Sequence, residues 1–92
     1  MFAFPEDARW CDSEDAVEFD VRLGDYRAKG YVPRRVFQHL IGSRPSSAEC
    51  VGYFRLNRTV FERVAEAKVR ARQLDDDANI RISGRDLSRF KW

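Results

Sequence analysis

The chain predicts a small two-layer α+β domain, an antiparallel sheet containing a β-hairpin packed on one short and one long helix. Three observations carry this expectation. Val17, Phe19, Val21 and Leu23 alternate with charged residues ahead of Gly24-Asp25. Cys50, Tyr53, Asn57, Val60, Val64, Ala67, Ala71 and Leu74 recur at spacings of 3 and 4, with Phe54 and Phe61 widening the stripe. Ile80-Arg81-Ile82 then alternates again near the end. Period two marks a half-buried strand, and period 3.6 marks a core-facing helix.

Residues 1–15 read as an N-terminal arm. Phe2 and Phe4 alternate as in a short strand, and Pro5 confines it to an edge because proline donates no ladder hydrogen bond. Trp10 reads as an anchor that packs this arm on the core. Residues 16–32 read as the hairpin, with Gly24 first in a two-residue II′ loop. Pairing Leu23 with Tyr26 sets the register. It puts Val21 opposite Ala28, Phe19 opposite Gly30 and Val17 opposite Val32 on one face, and Asp20 opposite Lys29 on the other. A slip of one residue would turn the apolar set outward. Gly30 gives the Phe19 ring room.

Pro33 suits the first position of a helix, where no amide donor is needed. Val36, Phe37, Leu40 and Ile41 give that helix one buried side, and Gly42 stops it. Ser46 and Glu49 form a capping box for the main helix over 47–74. About 28 residues would span ~42 Å, whereas a domain of this length is ~32 Å across. Two solutions follow. The helix breaks at Asn57, with Leu56 and Phe61 as a hydrophobic staple, or it continues and its far end packs on a second copy. The unbroken stripe favours the continuous helix. Asp75-Asp76-Asp77 opens a turn, 80–82 a short strand, and 84–92 a basic tail holding Leu87, Phe90 and Trp92.

Ninety-two residues predict one domain over 1–92. A hydrophobic fraction of 43% excludes a disordered chain, and no apolar run approaches the ~20 residues of a membrane span. The N-terminus lacks the basic and apolar segments of a signal peptide, and Cys11 and Cys50 suit a reducing compartment, so a cytoplasmic location is expected. Charge is uneven. Residues 1–25 hold eight acids and two bases, and residues 26–92 hold fifteen bases and seven acids. The acidic segment folding against the basic remainder is the simpler reading, and a basic face for nucleic acid or an acidic partner is the sharper one.

One order of features is familiar. Phe4-Pro5, Trp10 before an acidic stretch, Val17-x-Phe19, Leu40-Ile41-Gly42, Phe54-Arg55-Leu56-Asn57-Arg58, Phe61 to Lys68, and Ile80-Arg81-Ile82 follow one another. Together they resemble the small bacterial family called domain of unknown function 1488, over roughly residues 2–87. The resemblance implies a compact α+β domain and no established activity, substrate or cofactor. Gly30 stands where that pattern more often has a cysteine or another side chain.

Candidate chemistry is sparse. His39 is the sole histidine and reads as a surface or boundary residue. Cys50 lies on the apolar stripe and needs no role beyond packing. A Cys50–His39 dyad lacks anything in sequence that would orient the imidazole. Asp75 to Asp77 lack the alternating ligands, central Gly and distant Glu of a calcium loop. No catalytic, cofactor-binding or metal-ligating residue is assigned. Asn57 and Arg58 are the candidate polar clamp or anion contact, with Arg58 placed to fork onto a carboxylate. Ala71 and Leu74 are the candidate interaction surface at the far end of the long helix. The expected role is a non-enzymatic accessory or protein-interaction module, acting on a protein partner or by self-association. The alternative is a nucleic-acid-binding regulator using residues 27–72, where eleven bases outnumber three acids, although no nucleic-acid motif accompanies it.

Overall fold

The hairpin sets the rest of the architecture. In a computed structural model describing residues 2–4 and 8–90, with the Phe90 side chain left aside, β3 (Ala16–Leu23) and β4 (Tyr26–Pro33) pair in the register expected from the sequence. Gly24 adopts φ +58, as the first position of a II′ loop requires. Val17, Phe19 and Val21 face inward and are buried, while Glu18, Asp20 and Arg22 face out. A Cβ on Gly30 would sit 2.2 Å from Cζ of Phe19, so the glycine is what admits the ring.

The N-terminal arm supplies two strands. β1 (Phe2–Ala3) and β2 (Arg9–Cys11) both run antiparallel to β3, pairing Phe2 with Leu23 and Trp10 with Val17. The fifth strand, β5 (Ile80–Arg81), pairs parallel to β4. The sheet is therefore mixed, where antiparallel pairing throughout was expected. Its cause is connectivity: three helices lie between β4 and β5, and such a crossover returns the chain in the same direction.

Those helices are α1 (Arg34–Ile41), α2 (Ser47–Leu56) and α3 (Arg58–Arg70). The expected long helix is two helices broken at Asn57, which corrects the reading of one continuous helix. Asn57 leaves helical geometry at φ −119, ψ 27. Its backbone N–H and its side-chain Nδ2 both donate to the Tyr53 carbonyl at 3.1 Å, and Val60 N–H returns to the Asn57 carbonyl. The side chain thus competes for a carbonyl of the helical ladder. No staple forms, because Leu56 is 86% exposed. At 10 and 13 residues, α2 and α3 measure ~15 and ~20 Å, which fits a body 37 × 25 × 24 Å across.

The buried row is also offset from the stripe. Cys50, Val51, Phe54, Phe61, Val64 and Ala65 are buried, whereas Tyr53, Asn57, Val60 and Ala67 lie at the boundary. Phe54 stacks on Phe61 across the break, with centroids 4.9 Å apart, and Phe19 and Phe37 extend the same aromatic core. The capping box of Ser46 and Glu49 is present at the start of α2.

Beyond α3, Asp75 organises the turn. Its carboxylate accepts from the amides of Asp77 and Asn79, each at 2.9 Å, and from Arg81. The Asn79 amide, then Arg81 and Asp77, hold this carboxyl below the usual range. Residues 84–90 form α4 (Gly84–Phe90), two turns of helix that bury Leu87 and Asp86. Ser83 and Asp86 bond reciprocally at its start, and Asp86 also accepts from Lys68 at 2.7 Å.

Candidate functional site

The outward face of the sheet shows where the acidic N-terminal segment is used. Arg9 bridges Glu18 and Asp20, and the bond to Asp20 pushes the guanidinium pKa above its ordinary value. Lys29 also reaches Glu18 and Asp20, at 3.5 and 3.7 Å. Arg81 pairs with Glu14 at 2.7 Å and Asp75 at 2.9 Å and covers the Tyr31 ring at 4.9 Å. Arg34 pairs with Asp15 at 3.0 Å, donates to the Pro45 carbonyl, and lies 4.7 Å over Trp10. Arg34 therefore ties the start of β3, the α1–α2 loop and the arm together. Sequence reasoning missed it, since nothing local relates Asp15, Pro45 and Trp10 to one another.

This pairing divides the basic 27–72 region. Lys29, Arg34, Arg58, Lys68 and Arg70 are held by carboxylates, and Arg55 also has a partner. Arg27, Arg35, Arg44, Arg63 and Arg72 are exposed, with no carboxylate partner among the described residues. The eleven bases are thus not one free surface.

Four cations on the helices have no carboxylate partner among the described residues: Arg35 on α1, Arg63 on α3, and Arg85 and Arg89 on α4. Val36 and Phe37 take the buried side of α1, which leaves Arg35, Gln38 and His39 on its outer face. Leu87 and Asp86 take the buried side of α4, which leaves Arg85, Ser88 and Arg89 outward. A groove of about 300 Å³ runs between them, lined by Arg35, Val36, His39, Gly84 and Ser88. It adjoins a second depression of about 470 Å³ that shares Arg35 and His39. Arg85 and Arg89 stand one turn apart on the solvent side of α4 and, like Arg35, have no carboxylate partner among the described residues. The Arg35 guanidinium in this groove can hold a carboxylate or phosphate by charge-assisted hydrogen bonds, and Arg85 and Arg89, next to Gly84 and Ser88 along α4, add positive charge to the same helix. The sequence contains the signal in the i, i+4 pairs Arg35–His39 and Arg85–Arg89, but residues 84–92 read there as a tail rather than a helix.

The residues singled out from sequence lie elsewhere. Arg58 Nε donates to Glu62 one turn along α3, and Nη2 donates to the Phe4 carbonyl at 3.0 Å. Asn57 bonds Tyr53 within the helix break. The described contacts of both residues are therefore inside the fold. Ala71 is exposed, while Leu74 is half-buried and packs against the core. Cys50 is 0% exposed, and burial pushes its thiol up, away from the thiolate a nucleophile needs. Among the described residues, no group of three or more His, Cys, Asp or Glu could hold a metal ion, and no helix is long and apolar enough to cross a membrane.

Comparison with known proteins bears on the fold. No curated protein matches the chain. A solved structure of a protein of unknown function from Shewanella loihica PV-4, from the DUF1488 family, superposes with a TM-score of 0.80. The likeness covers 88% of this chain and 90% of that one at 21% identity, and it establishes the shared fold. The family described as "Protein of unknown function (DUF1488)" matches residues 3–82. The chain therefore belongs to the DUF1488 family.

Proposed function

We propose that this protein is a non-enzymatic interaction module whose partner is an acidic protein segment, received by the α1–α4 groove. The observation that carries the reading is the division of cations. Glu14, Asp15, Glu18 and Asp20 are used on Arg9, Lys29, Arg34 and Arg81, while Arg35 in the groove, and Arg85 and Arg89 next to Gly84 and Ser88 along α4, have no carboxylate partner among the described residues. Charged grooves of this kind steer a complementary partner and set its orientation. Self-association through a protruding helix has lost its premise, because α2 and α3 are short and Leu74 packs on the core. A cytoplasmic location suits the two free thiols, Cys11 and Cys50.

Nucleic acid is the second reading, favoured by the same cations. It is less favoured because the large rings Phe19, Phe37, Phe54 and Phe61 are buried and offer no surface for base stacking. The test is anisotropy of a labelled oligoglutamate peptide, duplex DNA, single-stranded DNA and RNA, each titrated with protein across a salt series. Salt-sensitive peptide binding that disappears in Arg35→Glu/Arg85→Glu supports the proposal. Tighter binding of any nucleic acid, lost in the same variant, transfers the groove to the second reading. Absence of binding to every probe at low salt rejects both.

A further inference from the structure

A second set of donors sits on the sheet, built independently of the helices. Along the outer face of the hairpin, Asp20 opposes Lys29, and one step nearer the loop Arg22 opposes Arg27. Both arginines are exposed and have no carboxylate partner among the described residues. The hydrogen-bond phase of the ladder brings them closer still. The Lys29 N–H is directed away from β3, since it donates to Oδ1 of Asn79 at 3.0 Å. Asp20–Lys29 is therefore a non-hydrogen-bonded pair, and so is Arg22–Arg27 two residues on. Side chains in such pairs approach most closely, and like charges placed there repel.

The same phase directs the Arg27 N–H to the outer edge of β4. Strand β5 pairs only with Gly30 and Tyr31, so no strand covers that edge beside Arg27. Asn79 commits Oδ1 to Lys29, and its Nδ2 has no described acceptor. Arg22, Arg27, Ala28, Lys29 and Asn79 together line a depression of about 410 Å³. Asp20 also borders it, but that carboxylate is held by Arg9 and Lys29.

We propose that this depression is a binding site for a diphosphate group, held by the Arg22 and Arg27 guanidinium groups, the Arg27 backbone amide and the Asn79 side-chain amide. Two planar forks present paired donors to neighbouring phosphate oxygens, and the added negative charge removes the repulsion between them. The diphosphate is either free or carried by a nucleotide, and the recognised chemistry is the same. The proposal stands apart from the α1–α4 groove.

The experiment is calorimetric titration of the full chain with inorganic diphosphate and, separately, with ADP, joined to ¹H–¹⁵N spectra. Saturable diphosphate binding is expected, with the largest amide shifts at Arg27, Lys29 and Asn79. Arg22→Gln and Arg27→Gln should each weaken it at least tenfold, while Arg35→Glu/Arg85→Glu leaves it unchanged. The Arg22→Gln/Arg27→Gln chain should melt no lower than the parent, which separates lost donors from lost folding. Tighter binding of ADP identifies a nucleotide as the source, and equal or weaker binding identifies the free diphosphate. No heat with millimolar diphosphate, undiminished affinity in the glutamine variants, or shifts centred on Arg35 and His39 would overturn the proposal.

Discussion

Replacing Gly30 with alanine tests the packing on which the sheet and helices depend. The new methyl carbon would lie 2.2 Å from Cζ and 2.6 Å from both Cε atoms of Phe19. Ordinary carbon contacts lie near 3.5–4.0 Å, so the ring must retreat by more than about 1 Å. It has little room, because Phe54 is 5.0 Å away by centroid and Phe4 is 6.4 Å away. Phe54 is itself stacked on Phe61, which meets Phe37 at 5.7 Å. Overpacking of this kind destabilises by ~1–3 kcal/mol, and the tight ring cluster argues for the upper end. Reduced freedom of the unfolded chain offsets ~0.4–1 kcal/mol. A net loss of ~2 kcal/mol is expected, or a fall in Tm of ~8–16 °C for a domain of this size. Urea unfolding followed by tryptophan fluorescence and circular dichroism measures it. Phe19→Leu/Gly30→Ala supplies the check, since a smaller side chain leaves space for the methyl. The double variant should be no less stable than Phe19→Leu alone. A Gly30→Ala chain as stable as the parent, or strict additivity in the double variant, would refute the packing account.

Three further outcomes follow from the fold. Burial pushes the Asp86 carboxyl up, but Lys68 and Ser83 outweigh it and hold it below its ordinary value. Its stabilisation is then complete above the unfolded pKa of ~3.9 and is lost as pH falls through the lower folded value. Asp86→Asn should lose ~3 kcal/mol at pH 7, with the difference from the parent shrinking below pH ~4 in urea titrations, and a gap independent of pH would contradict this. Removing the α2 cap with Ser46→Ala should lower stability by ~1 kcal/mol in the same assay, and an unchanged midpoint would show that the cap contributes nothing. With a thiol-reactive chromophore, half-buried Cys11 should react promptly and buried Cys50 only after urea is added. Prompt reaction of two thiols in the native protein would mean that the core around α2 opens readily.

Features governed by neighbours along the chain are legible in the sequence. The II′ loop, the hairpin register, the Phe19–Gly30 fit, the Ser46–Glu49 cap and the α+β class all rest on periods of two or 3.6 and on turn chemistry at fixed offsets. The break at Asn57 is visible there only as one of two solutions. The length of the stripe does not decide between them, because the outcome depends on an amide reaching Tyr53 and on a body that accommodates two short helices. The parallel pairing of β5 with β4 and the approach of α4 to α1 have no local sign either. Their partners lie far apart along the chain, as with Lys29 and Asn79 or Lys68 and Asp86. The sequence by itself determined the register and buried face of the hairpin and the start of α2, since those follow from neighbouring residues. Only the tertiary structure decided which cations meet carboxylates and which stand free, because charge pairing depends on distance in space.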